Sequence, residues 1–439
     1  MKDMLELSTR GRLLRGVSAS IFDKGAITLI QLMSIPVLTS NWGVDGYGVW
    51  LMLLTIPTYI ALSDFGLGTA SSVEIAKAID AEKFQEATTI LQSTWAIVSG
   101  VLAIVGFLGI AIAFLVSRSS NSGLSLESSD YTTPITISVI IVYSILIAQM
   151  SILTGVFRAT YKFAGATWFS GTLVLLEGGA VLIVSAIGHG MLLASIVVML
   201  LRLAGFLLFY AVLGAMEPWA KLGWLYTDKS IVLRLVGPSL ASVSLTLSNA
   251  LALQGAILSL GVCVGPGAVA LFGATRTVTR LPLQVAGMLL RPSLPELTRA
   301  CAQNNRQLVK KIANANLLVA VAVALPFVLL FYLFGQLALS NLSNDNLHAP
   351  PALFLLLSLA AMGNSIWLAI GSPLVSVNKQ GTFSYWYLIL SAAVAISPFI
   401  IADNLGLSIA VSMMIAEFSM ISLVLIITRR FSRTFKNAH

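Results

Sequence analysis

The sequence predicts an all-α integral membrane protein of about twelve transmembrane helices, in two pseudo-equivalent six-helix lobes around a central cavity. Three observations lead there. Apolar runs of roughly 18 residues or more recur along the whole chain, each long enough to cross a hydrocarbon core of about 30 Å. Charged residues make up 10% of the chain and apolar ones 57%, with a mean hydropathy of +0.91. A water-soluble domain carries roughly 25% charged residues, so this chain could not cover a water-facing surface. Loop lengths and short motifs also repeat halfway along the 439 residues.

The spans fall at about 17–39, 48–70, 89–116, 135–157, 167–188 and 190–213, then 233–259, 268–291, 313–339, 352–374, 383–402 and 406–428. This divides the chain into an N-terminal six-helix lobe (1–213), a cytoplasmic linker (214–232) and a C-terminal six-helix lobe with a basic tail (233–439). Arg10, Arg12 and Arg15 precede the first run with no small-residue cleavage site after it, so that run is expected to remain as a span. Of the 26 Lys and Arg residues, 21 lie on the side of the N-terminus, from Lys2 to Lys436, and only Arg118 lies opposite. By the positive-inside rule both termini are cytoplasmic, in the cell inner membrane. The net charge of +8 therefore marks membrane orientation, and nucleic acid is not an expected partner.

The second half repeats the plan of the first. Glu74-Ile75-Ala76-Lys77-Ala78 aligns with Glu296-Leu297-Thr298-Arg299-Ala300 at an offset of 222, which also pairs Gln85 with Gln307 and Ile90 with Ile312. The outside turns Gly46-Tyr47-Gly48 and Gly265-Pro266-Gly267 correspond at nearly that offset. Polar outside loops at about 117–134 and 340–351 follow the third span of each half and end in proline. An even number of spans per half makes this a parallel repeat about an axis along the membrane normal.

Charges inside spans need a reason, since each costs roughly 2.5–3.5 kcal/mol at a helix centre. In span eight, Arg276 and Arg280 lie roughly 12 and 18 Å from the outer end at 1.5 Å per residue. Four apart, they share a face and repel. Gln284, Gly287 and Arg291 continue the stripe, and Pro282 is placed to kink it. Either each arginine pairs with an acid on a neighbouring helix or reaches the surface, or the two bind an anion. Few buried acids exist to pair both.

In span one, Lys24 shares a face with Thr28 and Gln31, while Asp23, the adjacent residue, should point elsewhere. Lys24 is also shallow enough to reach the surface. Span seven carries a stripe of Ser239, Ser242, Thr246 and Asn249, which suits either a polar cavity wall or ordinary helix packing. Asp64 closes span two as a helix-end residue, a partner for Lys24 or a proton carrier. Asp23 and Asp64 are the ion-coupling candidates; Lys24, Gln31, Asn249, Arg276 and Arg280 are the substrate-binding ones. Glu177 and Arg202 sit at equal depth on either side of the turn at His189-Gly190 and are expected to form a structural ion pair. Glu417 in span twelve has no obvious partner.

Several activities lack their residues. No GxxxxGK[ST] is present, and Gly66-Leu67-Gly68 is an isolated fragment, so neither ATP nor a dinucleotide cofactor is expected. Two cysteines, Cys263 and Cys301, and three histidines at unrelated positions make no metal site. No HExxH, GxSxG or paired carboxylates stand over the membrane surface. That weighs against a polytopic enzyme such as a polysaccharide polymerase, and no enzymatic activity is expected.

The opening Arg15-Gly16-Val17-Ser18-Ala19-Ser20 leads into a polar first span ending Ile35-Pro36-Val37-Leu38-Thr39. Gly46-Tyr47-Gly48 opens span two, and Ser63-Asp64-Phe65-Gly66-Leu67-Gly68 closes it. With the twelve-span layout, these resemble the polysaccharide transporter family, the O-antigen-type flippases of the multidrug and oligosaccharidyl-lipid exporter superfamily. The resemblance implies two lobes enclosing a cationic cavity and outward flipping of undecaprenyl-diphosphate-linked oligosaccharide for O-antigen, capsule or exopolysaccharide. It implies alternating access coupled to H⁺ or Na⁺, with Lys24, Arg276 and Arg280 supplying the cavity charge. Other polysaccharide-assembly membrane proteins and the membrane lipids would be its partners. The alternatives are a multidrug cation antiporter of the same superfamily and the polymerase-type enzyme.

Overall fold

A computed structural model describes residues 2–64, 66–117, 132–160, 162–228, 230–231, 244–290, 293–303, 305–377 and 379–434. All regular structure among them is helical. In lipid, backbone N–H and C=O groups must be satisfied within the chain, which leaves helices as the means of crossing. Several hydroxyl side chains in the spans are satisfied in the same way. Thr28, Ser34, Thr167, Ser195 and Ser365 each donate to the carbonyl four residues back.

The first half runs α1 (Lys2–Asn41), α2 (Gly43–Leu53), α3 (Thr55–Ala61), α4 (Leu67–Asp80), α5 (Phe84–Ser117), α6 (Thr132–Ala159), α7 (Phe163–Ala186) and α8 (Met191–Met216). The second begins with α9 (244–250), a π-helical turn at Leu251–Gly255, and α10 (Ala256–Cys263). There follow α11 (Pro266–Thr279), α12 (Leu281–Leu290), α13 (Ser293–Ala302), α14 (Arg306–Leu342), α15 (Pro351–Ser376), α16 (Gly381–Ile400) and α17 (Leu407–Thr434). Arg118, Ser239, Ser242, Arg291 and most of the outside loop at 117–134 lie outside the described residues.

Among the described residues, eleven stretches are long and apolar enough to span a bilayer. The crossing expected at 268–291 is not among them: Arg276, Arg280 and Gln284 lower its hydropathy, and it consists of two helices, α11 and α12, that meet at Arg280. Pro282 lacks an N–H and so cannot bond the carbonyl of Val278, which is where a continuous helix would need it. Span two is divided in the same way, between α2 and α3 at Leu54 with Pro57 beyond. The repeat extends to the interfacial helices. Short α4 and α13 each precede a long helix, and α5 and α14 begin at Phe84 and Arg306, again 222 residues apart.

The chain forms two compact units, one of residues 1–37 and 53–243, the other of 38–52 and 244–439. In the first, α5, α6 and α8 bury Ile90, Leu91, Val98, Leu102, Leu153 and Phe209. Helix α1 lies close against α7 through Gly178, where a Cβ would stand 2.3 Å from the Ile30 side chain. In the second unit α15 packs between α14 and α17, with Trp367, Phe383, Tyr387, Met420 and Val424 as its core. Segment 38–52 joins this unit by backbone contact. A Cβ on Gly48 would sit 1.9 Å from the Pro266 carbonyl oxygen, and Leu51 fills the space a side chain at Gly273 would need.

Candidate functional site

The break between α11 and α12 positions the two deep arginines. Arg276 lies on the last turn of α11 and Arg280 at the break itself, both partly buried. Arg276 Nη1 donates to the Leu253 carbonyl at 2.6 Å. That carbonyl belongs to the π-helical turn Leu251–Gly255; the wider i→i+5 winding of such turns frees backbone groups. The guanidinium also lies 5.8 Å from the centroid of the Phe272 ring and within electrostatic reach of buried Tyr47. A carbonyl dipole and a π face hold the arginine in place without cancelling its charge.

Arg280 is answered by a different group. The acid whose charge acts on it is Glu417, yet no carboxylate approaches either arginine within 4.0 Å among the described residues. Glu417, 6% exposed, does have partners, contrary to the sequence expectation. Its Oε2 accepts from Trp367 Nε1 at 2.5 Å and Asn364 Nδ2 at 3.1 Å, and its Oε1 from the Tyr387 hydroxyl at 3.0 Å. Asn364 and Trp367 come from α15, Tyr387 from α16. Gly363 lets α17 approach, since a Cβ there would be 3.0 Å from that of Glu417. A buried carboxylate is tolerable only with such donors. Asn364 and Trp367 are three apart on one helix face, a spacing visible in the sequence; their convergence with Tyr387 on Glu417 is tertiary and was not.

Lys24 Nζ lies 3.3 Å from Asp23 Oδ2. Asp23 therefore does not point away, because the flexible lysine stem swings across the angle between adjacent helix positions. Gln31 is exposed. Asp64 Oδ1 accepts from the Gly66 N–H at 2.7 Å, closing the turn into α4, where Gly66 takes φ +71°. Asn249 Nδ2 donates to the Leu245 carbonyl of its own helix. Ser244 and Ser248 bond across to Ser384 of α16.

Glu177 and Arg202 meet in the first unit at 2.6 Å, both buried. The Tyr143 hydroxyl donates to the same Glu177 oxygen at 3.0 Å. The guanidinium lies 5.4 Å from the Tyr143 ring centroid.

No described protein family matches the sequence. No curated protein matches it either. Solved structures do resemble it. One is the inward-facing conformation of a multidrug resistance MATE family transporter of the MOP superfamily, at TM-score 0.69 and 14% identity over 93% of this chain and 95% of that one. An outward-facing structure with the same description gives 0.63 and 15%, over 97% and 96%. A MOP superfamily transporter from Pyrococcus furiosus, described as having a binding pocket of reverse polarity that suggests a different function, gives 0.60 and 14%, over 94% and 96%. The chain thus has the fold of MOP superfamily transporters and is a multi-pass membrane protein.

Proposed function

We propose that the chain is a transporter of the cell inner membrane, with both termini cytoplasmic, that carries an anionic amphiphile to the outer leaflet: an oligosaccharide linked to undecaprenyl diphosphate. The observation that supports this reading is the pair Arg276 and Arg280, set at a helix break with no acid within 4.0 Å among the described residues. Two unpaired arginines near mid-depth cost roughly 5–7 kcal/mol together. The Leu253 carbonyl offsets part of that for Arg276. A diphosphate would offset the rest through bidentate, charge-assisted contacts, which makes the loaded site more favourable than the empty one. Moving two negative charges outward through an inside-negative potential releases roughly 4–5 kcal/mol per 100 mV. An H⁺ or Na⁺ gradient can return the empty carrier. Other polysaccharide-assembly proteins would supply and receive the cargo.

A second reading is a multidrug cation antiporter. The solved neighbours fit it at least as well, and buried Glu417 among Trp367 and Tyr387 is the acidic, aromatic setting a cationic drug requires. That carboxylate, however, is already committed to three donors and faces Arg280, which favours anionic cargo at the break.

The experiment replaces Arg276 and Arg280 singly by Lys, Ala and Glu and follows surface glycan at matched protein levels. Lys variants should be partly active, Ala variants poor and Glu variants inactive. Full activity of both Glu variants would move the anion site elsewhere. Altered drug susceptibility on deletion, with normal surface glycan, would favour the antiporter.

A further inference from the structure

We infer that, whatever its cargo, the chain seats an anionic phospholipid at the start of α14, its headgroup on Lys310 and Lys311 and an acyl chain on the leucines beneath. A difference between the two halves carries this. In the first half, the segment after α8 folds back over the start of α5. Thr88 Oγ1 donates to the Trp219 carbonyl at 3.0 Å, and Gln92 Nε2 to that of Lys221 at 3.1 Å. Gln92 Oε1 and Ser93 Oγ in turn accept from the N–H groups of Tyr226 and Asp228, at 2.9 and 2.8 Å. The offset of 222 puts Lys310 where α5 has Thr88, Lys311 where it has Thr89, and Ala315 in place of Ser93. Hydroxyls, two of which hold a strap of backbone, are thus replaced by two cations and a methyl group. The equivalent strap in the second half would be the segment after span twelve, which carries Arg429, Arg430, Arg433 and Lys436. Its like charge keeps it from answering the two lysines.

Charge and depth identify the occupant. Lys310 and Lys311 are exposed and form no ion pair among the described residues. Helix α14 contains no acid of its own, and Arg299 on the adjoining α13 already takes Glu296 at 3.1 Å. Cations on the opening turns of a helix also oppose its dipole, so they do not serve the helix itself. The apolar run of α14 begins at about residue 313. At 1.5 Å per residue the two lysines therefore stand roughly 3–5 Å outside the hydrocarbon, inside a headgroup layer about 5–7 Å thick. Clustered cations at that level attract anionic lipid. Leu318, Leu325 and Tyr332 follow Lys311 at successive intervals of seven, two helical turns each, and all three are exposed. An amphiphile with a phosphate at one end and hydrocarbon beyond it matches this face along its length. A free phosphate would leave the leucines unused, and a water-soluble acidic protein would reach the lysines alone.

The test titrates the full chain in detergent with dioleoylphosphatidylglycerol and with dioleoylphosphatidylcholine, which share their acyl chains, and reads the first bound lipid by native mass spectrometry. At about fivefold per surface lysine, the wild type should prefer phosphatidylglycerol by about 25-fold. Lys310→Gln and Lys311→Gln should each keep a preference of about fivefold, and the double variant almost none. Lys310→Arg/Lys311→Arg should behave as wild type. Lys83→Gln/Lys221→Gln removes two exposed cations from the first half and should also leave the preference intact. An equal loss there would reduce the effect to the diffuse charge of the basic side and overturn the inference. So would an undiminished preference in Lys310→Gln/Lys311→Gln, or none in the wild type. Excess inorganic phosphate, with ionic strength matched by chloride, should not displace the lipid; displacement would make the lysines a general phosphate site and overturn the assignment. Arg276→Ala/Arg280→Ala separates this seat from the proposed cargo site and should match the wild type. A loss of preference confined to that variant would move the lipid to the helix break, overturning this inference while leaving the anion reading in place.

Discussion

Replacing Arg202 by Met keeps an unbranched side chain of similar length in place and removes the charge. The structure shows what remains. Glu177 is 4% exposed, its Oε2 would keep only the Tyr143 hydroxyl at 3.0 Å, and its Oε1 has no hydrogen-bond partner. Removing one partner of a buried pair destabilises by roughly 3–5 kcal/mol, because the other charge is left uncompensated. One escape limits the damage. The carboxyl can take up a proton, which costs about 3.7 kcal/mol at pH 7 for an ordinary glutamate and about 1 kcal/mol at pH 5. Arg202→Met should therefore lose about 3–4 kcal/mol at pH 7 and much less at pH 5. At roughly 2–4 °C per kcal/mol for a unit of this size, the midpoint should fall by about 6–16 °C at neutral pH.

The paired variant Glu177→Met/Arg202→Met removes both charges, and should lie within about 1 kcal/mol of the wild type. Exchanging the two residues should likewise restore the amount of folded protein. Thermal unfolding of the purified protein in detergent, read by size exclusion at both pH values, measures all of these. A single variant as stable as wild type at pH 7, or a double variant as damaged as the single, would refute the reasoning. Single variants that fold normally yet stop transport would place the pair in the mechanism instead.

Gly48→Ala should destabilise by about 1–3 kcal/mol, because its Cβ meets the Pro266 backbone rather than a side chain that can move. Gly100→Ala, in open space on α5, should be neutral or stabilising by up to about 1 kcal/mol, and thermal unfolding separates the two. Just before α17, burial works against the Asp403 carboxylate, but donation from the N–H groups of Ser408, Leu407 and Leu405 outweighs it and holds the group below the usual carboxylate range. Its contribution is therefore complete above an unfolded value of about 3.9 and is lost as the pH falls through the lower folded value. Asp403→Ala should cost about 1 kcal/mol at pH 7, and that deficit should shrink only well below pH 4 in unfolding measurements. Reporter fusions at Asn344 should read outside the cell and one at Lys221 inside; a cytoplasmic reading at Asn344 would sink the repeat.

Helix number and repeat were legible because hydropathy and loop length are properties of the chain in order. The register of Phe84 with Arg306 is simply the motif offset carried into helix starts. The division of span eight was half legible: Pro282 announces it, but hydropathy does not register a missing N–H. What the sequence could not display was convergence. Glu417 looked unpartnered because Asn364, Trp367 and Tyr387 lie 53, 50 and 30 residues away. Lys24 and Asp23 misled in the opposite sense, since helical angle alone ignores the reach of a lysine.

The two halves also differ where they correspond. Each has its second crossing broken by a proline, at Leu54 before Pro57 and at Arg280 before Pro282. Counted back from the break, the first half has Leu54 and Trp50 where the second has Arg280 and Arg276. The same backbone device is thus apolar in one half and dicationic in the other. A helix break needs only the proline, so the arginines are not required to make it. Had they served packing alone, the apolar version already present in the first half would have been sufficient and cheaper in the membrane. The charge, the buried acid Glu417 with its three donors and the π-turn carbonyl that steadies Arg276 all belong to the second half. This asymmetry is what the proposed anion reading expects of the C-terminal half, where Arg276 and Arg280 lie.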